Sequence, residues 1–402
     1  MPLTPEQVAK IHQKEATTPP ALKRNPLNDY TEGWFHVTLN VRGEAPVLGI
    51  LAGNPEAPEG STDAPRCVLT ELGKKVKASW DANPTFSPGI ENIEFQIMPE
   101  HVHGLVHLKT GNKKHLGEMV RGFMIGATHG YWDTLGIPWR DMKYEKGVPT
   151  PQYNDRDHTR SYRGPALFVR GYNDVEAVTP EEIETKRQYI RDNPRKRLIA
   201  HSRPDRFHIM RNQHSNNWTL ARALAAVAAD PRIGNDPGVC QLLQGKVDRR
   251  LKRMPGSADM LSIDYVGNRA LLAAEHKVSL ICHRSDAALF GQQAEAVLKA
   301  AREGAVVVSA FISKNELKIK QQLMLEQLPF IELLDNGFGD RYKPMGKAFY
   351  STAENRHVQL TCWTYEYSNG TPTAISREMC LVMNELARLI SGVKDDWWKR
   401  CP

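Results

Sequence analysis

The stretch MPEHVHGLVHL, residues 98–108, places His101 and His103 one residue apart in a run that is otherwise apolar. Such a run reads as a β-strand, where side chains alternate between faces, so both imidazoles point one way and Val102 points the other. Two imidazoles on one face can chelate a single divalent cation; they can equally be strand-face histidines satisfied by water or carboxylates. His107 keeps the parity of His103 but stands four residues on, outside a shared coordination sphere. Just upstream, IENIEFQIMP (90–99) is a second strand candidate, lying antiparallel to the first or continuous with it as one bent strand. Further back, WFHVTLNVRG (34–43) has the β-branched and aromatic content of another. Between them TELGKKVKASW (70–80) spaces Leu72, Val76 and Trp80 as a helix with Thr70 as N-cap, and GNPEAPEGSTDAPR (53–66) is a turn-rich loop.

Downstream, residues 114–134 carry Leu116, Met119, Val120, Phe123 and Ala127 on one helical side, and 143–165 reads as a long loop. The segment TPEEIETKRQYIRDN then opens with a helix-start signal: Thr179 as N-cap, Pro180 at the first helical position and Glu182 three residues past the cap. The Asn193-Pro194 step should end or distort that helix. From Lys186 to Arg211 nine basic residues face only Asp192 and Asp205, a stretch suited to a solvated helix face or to phosphate contacts.

The whole chain has 402 residues, a 41% hydrophobic fraction and a net charge of +7. That describes a folded protein with room for two domains, and a basic excess too modest to name a partner alone. Six scattered cysteines with no Cys-x-x-Cys pair suggest neither a zinc site nor a disulfide framework. With no signal-like start and no apolar stretch long enough to span a bilayer, the expected setting is cytoplasmic, without a membrane partner.

The strand MPEHVHGLVHL resembles the HUH signature of the REP-associated tyrosine transposases and their insertion-sequence relatives, in which a Met-Pro-(Asn or similar)-His-hydrophobe-His strand carries metal ligands. WFHVTLNVRG is similar to that family's opening strand, and GYND (171–174) with TPEEIETKRQYI (179–190) and YIRDNPRKR (189–197) resembles its tyrosine helix. The likeness covers roughly residues 30–200; Glu100 stands where the family more often has Asn. It implies an α+β domain, an antiparallel sheet with helices of ferredoxin-like or RRM-like type. It further implies His101 and His103 as metal ligands, Asn193 as a third protein ligand, Tyr189 as nucleophile, and Mg²⁺ or Mn²⁺ as cofactor. The activity implied is cleavage and rejoining of single-stranded or hairpin DNA through a 5′-phosphotyrosine link, with a homodimer among the arrangements relatives adopt.

Elementary chemistry agrees with that assignment. Tyr189 and Asn193 are i and i+4 on one helix face, so a phenol and an amide oxygen can reach one place. Tyr153, Tyr162 and Tyr172 are the alternative phenols. A phenol needs activation, and Lys186, one turn before Tyr189, could favour the phenolate. Arg187, Arg191, Arg195, Lys196 and Arg197 are candidate contacts to DNA phosphates, and Trp132 and Arg140 candidates for stacking on bases. Two other readings share these residues: a non-catalytic nucleic-acid-binding protein on the same fold, and a relaxase- or replication-initiator-like nickase.

Beyond residue 258 the pattern changes. The apolar runs VSLIC (278–282), GAVVVSA (304–310), FIELL (330–334) and VQLTC (358–362) alternate with amphipathic stretches at 292–302 and 316–327, and a helix at 374–391 follows. Fully apolar strands in that order predict a parallel sheet covered on both faces, an α/β Rossmann-like domain similar to the DNA-processing (DprA-like) family. No dinucleotide glycine fingerprint is present. His283, Arg284, Ser285, Asn336 and Lys343 follow strand ends and form a candidate phosphate- or nucleic-acid-binding rim. The expected organisation is an arm (1–30), a catalytic domain (31–215), a helical connector (216–257) and the Rossmann-like domain (258–402).

Overall fold

In the computed structural model, residues 4–7, 28–137, 153–154, 159–160, 166–340, 342–366 and 375–400 are described. They fall into two units, Met1–Ile199 and Ala200–Pro402.

The first unit is built on an antiparallel sheet of four strands: β1 (Gly33–Asn40), β4 (Ile90–Ile97), β5 (His101–Leu108) and β6 (Asn173–Ala177), in the order β4-β5-β1-β6. A short hairpin, β2 (Gly49–Ala52) with β3 (Arg66–Leu69), brackets the turn-rich loop. The sequence left open how β4 meets β5. They form a hairpin whose turn, Met98 to Glu100, is closed by the Met98 amide donating to the His101 carbonyl at 2.8 Å.

Strand alternation gives this sheet two unlike faces. Phe35, Val37 and Leu39 of β1 and Val102, Val106 and Leu108 of β5 are buried in one core with Leu72, Val76 and Trp80 of α1 (Glu71–Asp81) and Leu116, Val120, Phe123 and Ala127 of α2 (Leu116–Thr134). Thr70 caps α1 as expected, its hydroxyl accepting from the Gly73 amide at 3.0 Å. Gly104 interrupts the strand because Trp80 lies flat there: a Cβ on it would stand 2.2 Å from the indole, which stacks on Phe95 with ring centres 4.4 Å apart.

The opposite face carries His36, Thr38, His101 and His103, and α3 (Pro180–Arg191) lies on it against β4, β5 and β6. The helix starts as the sequence says, with Thr179 and Glu182 in a reciprocal capping box and Pro180 at its first position. It stops at Arg191, and a second helix the sequence reading missed, α4 (Asn193–Ser202), begins at once with Pro194 in its first turn, where a missing amide proton costs nothing.

The second unit holds a six-stranded sheet. Four parallel strands, β9 (Lys277–Ser279), β10 (Val306–Ser309), β11 (Phe330–Leu333) and β12 (His357–Thr361), run side by side in chain order, and β8 (Met260–Gly267) and β7 (Met210–Thr219) extend it antiparallel. Alternation again sorts the core. Val307 and Phe330 face α7 (Phe290–Arg302) and α8 (Lys314–Leu325). Val306, Val308 and Ile331 face α5 (Leu220–Ala228), α6 (Pro237–Arg250) and α10 (Arg377–Ser391). The break between units thus precedes residue 215. Residues 216–257, expected as a connector, supply the end of an edge strand and two helices whose Val227 and Val247 are core residues of the second sheet. Among the described residues no helix is long and apolar enough to cross a membrane, and the five described cysteines are free.

Candidate active site

Strand parity brings the histidine pair together. The Nε2 atoms of His101 and His103 are 3.1 Å apart, with the rings nearly perpendicular at 83°. Each ring has its other nitrogen engaged. His101 Nδ1 lies 3.3 Å from Glu100 Oε1, while His103 Nδ1 lies 3.0 Å from Thr38 Oγ1 and 3.2 Å from His36 Nε2. Thr38 is the register partner of His103 across β1 and β5, and His36 is two residues along on the same face. With protons on both Nδ1 atoms, two Nε2 lone pairs confront each other, an arrangement that is repulsive unless a cation or proton lies between them.

The donor set suits a divalent ion. Two nitrogens sharing an octahedral ion at bonds of about 2.1 Å sit about 3 Å apart, and a ligating histidine usually gives its second N–H to a carboxylate or other oxygen. Among the described residues no group of three or more His, Cys, Asp or Glu side chains is arranged to hold a metal, so further ligands would come from amide, water or phosphate oxygens. The buried histidines are held neutral. Burial, aided by the Lys186 charge, pushes the His36 imidazole down to about 4, and burial with the neighbouring His101 and His36 carries His103 well below its ordinary range.

Tyr189 reaches this place from α3. Its ring packs edge-on to His103 and to His36, with centroids 5.5 Å and 5.6 Å away, and it remains 42% exposed. Lys196 of α4 stands over the same ring at 5.6 Å, its ammonium pKa lowered by burial against the opposing pull of Asp192. Lys186, the cation the sequence offered for this role, is close enough to His36 to depress it. Asn193 opens α4, with Asp192 alone between it and the end of the tyrosine helix. Its Nδ2 donates to the Tyr189 carbonyl at 2.8 Å, and no hydrogen bond joins it to either imidazole. His107 stacks on Trp34 further along the strand, centroids 4.2 Å apart. Of the alternative phenols, Tyr172 is buried, while the Tyr153 side chain and Tyr162 lie outside what is described.

Five basic residues of the tyrosine segment, Arg187, Arg191, Arg195, Lys196 and Arg197, have protein partners. Arg191 pairs with Glu94 at 2.9 Å and Arg187 with Glu94 at 3.8 Å and Glu184 at 3.3 Å. Lys196 pairs with Asp192 at 3.7 Å, Arg197 with Glu100 at 3.1 Å, and Arg195 donates to the Pro55 carbonyl. Glu94 shares the histidine face of the sheet, so these contacts fasten α3 and α4 onto it. Trp132, expected to stack on bases, is instead fully buried in the first core beside His129, because α2 turns that side of its last turns inward. Arg140 lies outside the described residues.

In the second unit the residues of the expected rim stand on two segments, His283, Arg284 and Ser285 after β9 and Asn336 and Lys343 after β11. The parallel strands follow chain order without reversal, so no strand-order switch opens a crevice at their carboxyl ends. Three backbone amides there already have a carboxylate partner. Glu316 accepts from Cys282 at 2.8 Å, from Ile312 at 2.6 Å and from Ser313 at 3.0 Å. His283 pairs with Asp395 at 2.7 Å, which raises its pKa, and Asn336 accepts from Gly337, Glu366 and Arg250. Arg284, Ser285 and Lys343 are exposed.

Sequence reasoning missed His36, Thr38 and Glu94, and it offered Lys196 as a phosphate contact without its place over the Tyr189 ring. His36 and Thr38 share parity in WFHVTLN, but only the register between β1 and β5 shows which residue they meet.

No family model matches the chain. It is 25% identical over 146 residues to an uncharacterised protein of Haemophilus influenzae, spanning 31% of this chain and 72% of that protein. Among solved structures, a REP-associated tyrosine transposase bound to a REP hairpin aligns with 44% of this chain and 74% of its own, at 14% identity and a TM-score of 0.27. A Deinococcus radiodurans protein provisionally described as a transposase aligns with 42% of this chain and 97% of its own, at 13% identity and a TM-score of 0.23.

Proposed function

We propose that the first unit cleaves and rejoins single-stranded or hairpin DNA, with Tyr189 as nucleophile beside a divalent cation held by His101 and His103. The observation that carries this reading is the confrontation of the two Nε2 atoms at 3.1 Å, with both Nδ1 atoms committed elsewhere and an exposed phenol ring packed against the same imidazoles. Bound Mg²⁺ or Mn²⁺ would neutralise phosphate charge and order the scissile phosphate for in-line attack.

The chain's own groups do the rest. The Tyr189 oxygen attacks phosphorus and the 3′ oxygen leaves, giving a 5′-phosphotyrosine and a free 3′-hydroxyl. The phosphoester energy is kept, so a second strand's hydroxyl can reverse the step without a nucleotide cofactor. Lys196 and Lys186 supply positive charge that favours phenolate over phenol. Thr38 or His36 accepts a hydrogen bond from the Nδ1–H of His103, which leaves its Nε2 available. Asn193 is the third ligand in this reading, its carbonyl oxygen left outside the bond that its Nδ2 makes.

Incubation with labelled hairpin oligonucleotides and Mn²⁺ tests the reading. A denaturant-resistant protein–DNA adduct is expected, absent from Tyr189→Phe and from His101→Ala. Wild-type protein that shifts the oligonucleotide in a native gel but forms no adduct across a broad pool would replace catalysis with simple binding.

A further inference from the structure

Glu100 ends the turn between β4 and β5, and its place there is fixed. Its carbonyl accepts from the Val41 amide at 2.8 Å while the same turn is closed by Met98 and His101. The side chain is only 16% exposed, and a single carboxylate oxygen, Oε1, meets two partners: His101 Nδ1 at 3.3 Å and an Arg197 guanidinium nitrogen at 3.1 Å. The two partners belong to different parts of the site. His101 is on the strand that holds the cation in the reading above; Arg197 is on α4, which continues the helix bearing Tyr189. His103, by contrast, has its Nδ1 beside a neutral hydroxyl and a neutral imidazole.

We propose that Glu100 is a positioning residue: it fixes the tautomer and ring orientation of His101 for cation binding, and through Arg197 it couples that binding to the seating of the tyrosine-bearing helices. A carboxylate on Nδ1–H leaves the proton off Nε2, makes that nitrogen a better donor to a cation, and stops the ring from turning. Arg197 in turn holds the carboxylate, which would otherwise be drawn toward solvent. Seated helices therefore give a correctly presented His101, and an occupied cation site favours seated helices.

The proposal rests on His101 and His103 being the cation ligands, and its test separates the two claims. Mn²⁺ alone is titrated calorimetrically into the full chain and into His101→Ala, Glu100→Ala, Glu100→Gln, Arg197→Ala and the Glu100→Ala/Arg197→Ala double variant, with melting of the metal-free proteins as a check on folding. Losing a partner of a ligating histidine typically weakens metal binding about 10- to 100-fold, and that is the expectation for Glu100→Ala. Glu100→Gln, which keeps an acceptor oxygen without the charge, should fall between it and wild type, so the conclusion stands even if the alanine variant folds poorly. Arg197→Ala should weaken Mn²⁺ binding less than Glu100→Ala, and should have no further effect once Glu100 is gone. Loss of binding in His101→Ala with wild-type affinity in both Glu100 variants would overturn the positioning role alone. Additive effects of the two alanine substitutions would overturn the coupling. Unchanged binding in His101→Ala would overturn the ligand assignment and the proposal with it.

Discussion

His36 offers a quantitative handle on this site that needs neither metal nor DNA. It is buried on the sheet face beneath Tyr189, and burial together with the Lys186 charge lowers its pKa from 6.5 to about 4. In the unfolded chain the ordinary value of about 6.5 applies. Between the two values the unfolded form binds a proton that the folded form refuses, so lowering pH favours unfolding; the loss begins below about 6.5 and is complete near 4. One proton's difference is a slope of about 1.4 kcal/mol per pH unit, or roughly 2 kcal/mol between pH 6.5 and 5. Replacing His36 by Gln keeps an acceptor for His103 and removes this titration. For a unit of this size, roughly 2 kcal/mol is a melting shift of about 4–8 °C. Calorimetry in chelator-treated buffer at pH 7 and pH 5 should show wild type falling further than His36→Gln by that amount. His103 is shifted in the same direction chiefly by burial, which His36→Gln leaves in place, so most of its contribution is common to the two proteins. Equal drops in the two proteins would mean that His36 takes up its proton in the folded state, and the description of a neutral, closely packed histidine cluster would be wrong.

Tyr189→Phe should abolish any covalent adduct with hairpin DNA while leaving Mn²⁺ affinity within about twofold, since the phenol packs against the imidazoles without bonding to them; parallel loss of both would make the residue structural. Glu94→Ala removes the shared partner of Arg187 and Arg191, a partly exposed pair of contacts worth about 1 kcal/mol together. Hydrogen exchange of the Pro180–Arg191 amides should speed about fivefold with Leu116–Thr134 unchanged, and a uniform change would refute a local latch. Gly104→Ala forces a methyl into the Trp80 ring and should cost about 1–3 kcal/mol, read as a lower melting temperature; an unchanged melt would mean that the indole can move aside.

The parts legible in the sequence are those governed by local rules. The period of two put His101 and His103 on one face; the Thr179–Pro180–Glu182 pattern located the start of the tyrosine helix; apolar runs located the four parallel strands. What stayed hidden depends on which segments meet. His36 and Thr38 matter only because β1 pairs with β5 in one register, and a slip by one residue would put Phe35 and Val37 beside His103. MLSIDYVG and MRNQHSNNWT carry polar residues within strands at the antiparallel side of the second sheet and lack the fully apolar signature of the parallel ones, so neither was read as a strand. Trp132 follows an amphipathic pattern that is apolar on more than one side near the end of α2, and a buried side was taken for an exposed one.

The basic run shows why a local charge count misleads about partners. Nine cations against two carboxylates suggests a phosphate-binding stripe, yet Glu94 and Glu100, brought in by the β4–β5 hairpin, pair with three of those cations, and Asp192 and the Pro55 carbonyl engage two more. If DNA phosphates bind here, they must replace or share these contacts. Each phosphate contact would then release the protein's own carboxylate as well as counterions from the DNA, which weakens the net gain per arginine. The carboxylates therefore set a lower salt dependence of DNA binding than nine free cations would give. They also tie any phosphate contact at Arg197 directly to the carboxylate that orients His101. A substrate strand lying along α4 would act on the cation site through Glu100 before its scissile phosphate arrived, so substrate and cation binding should influence each other even in a Tyr189→Phe protein that cannot cleave.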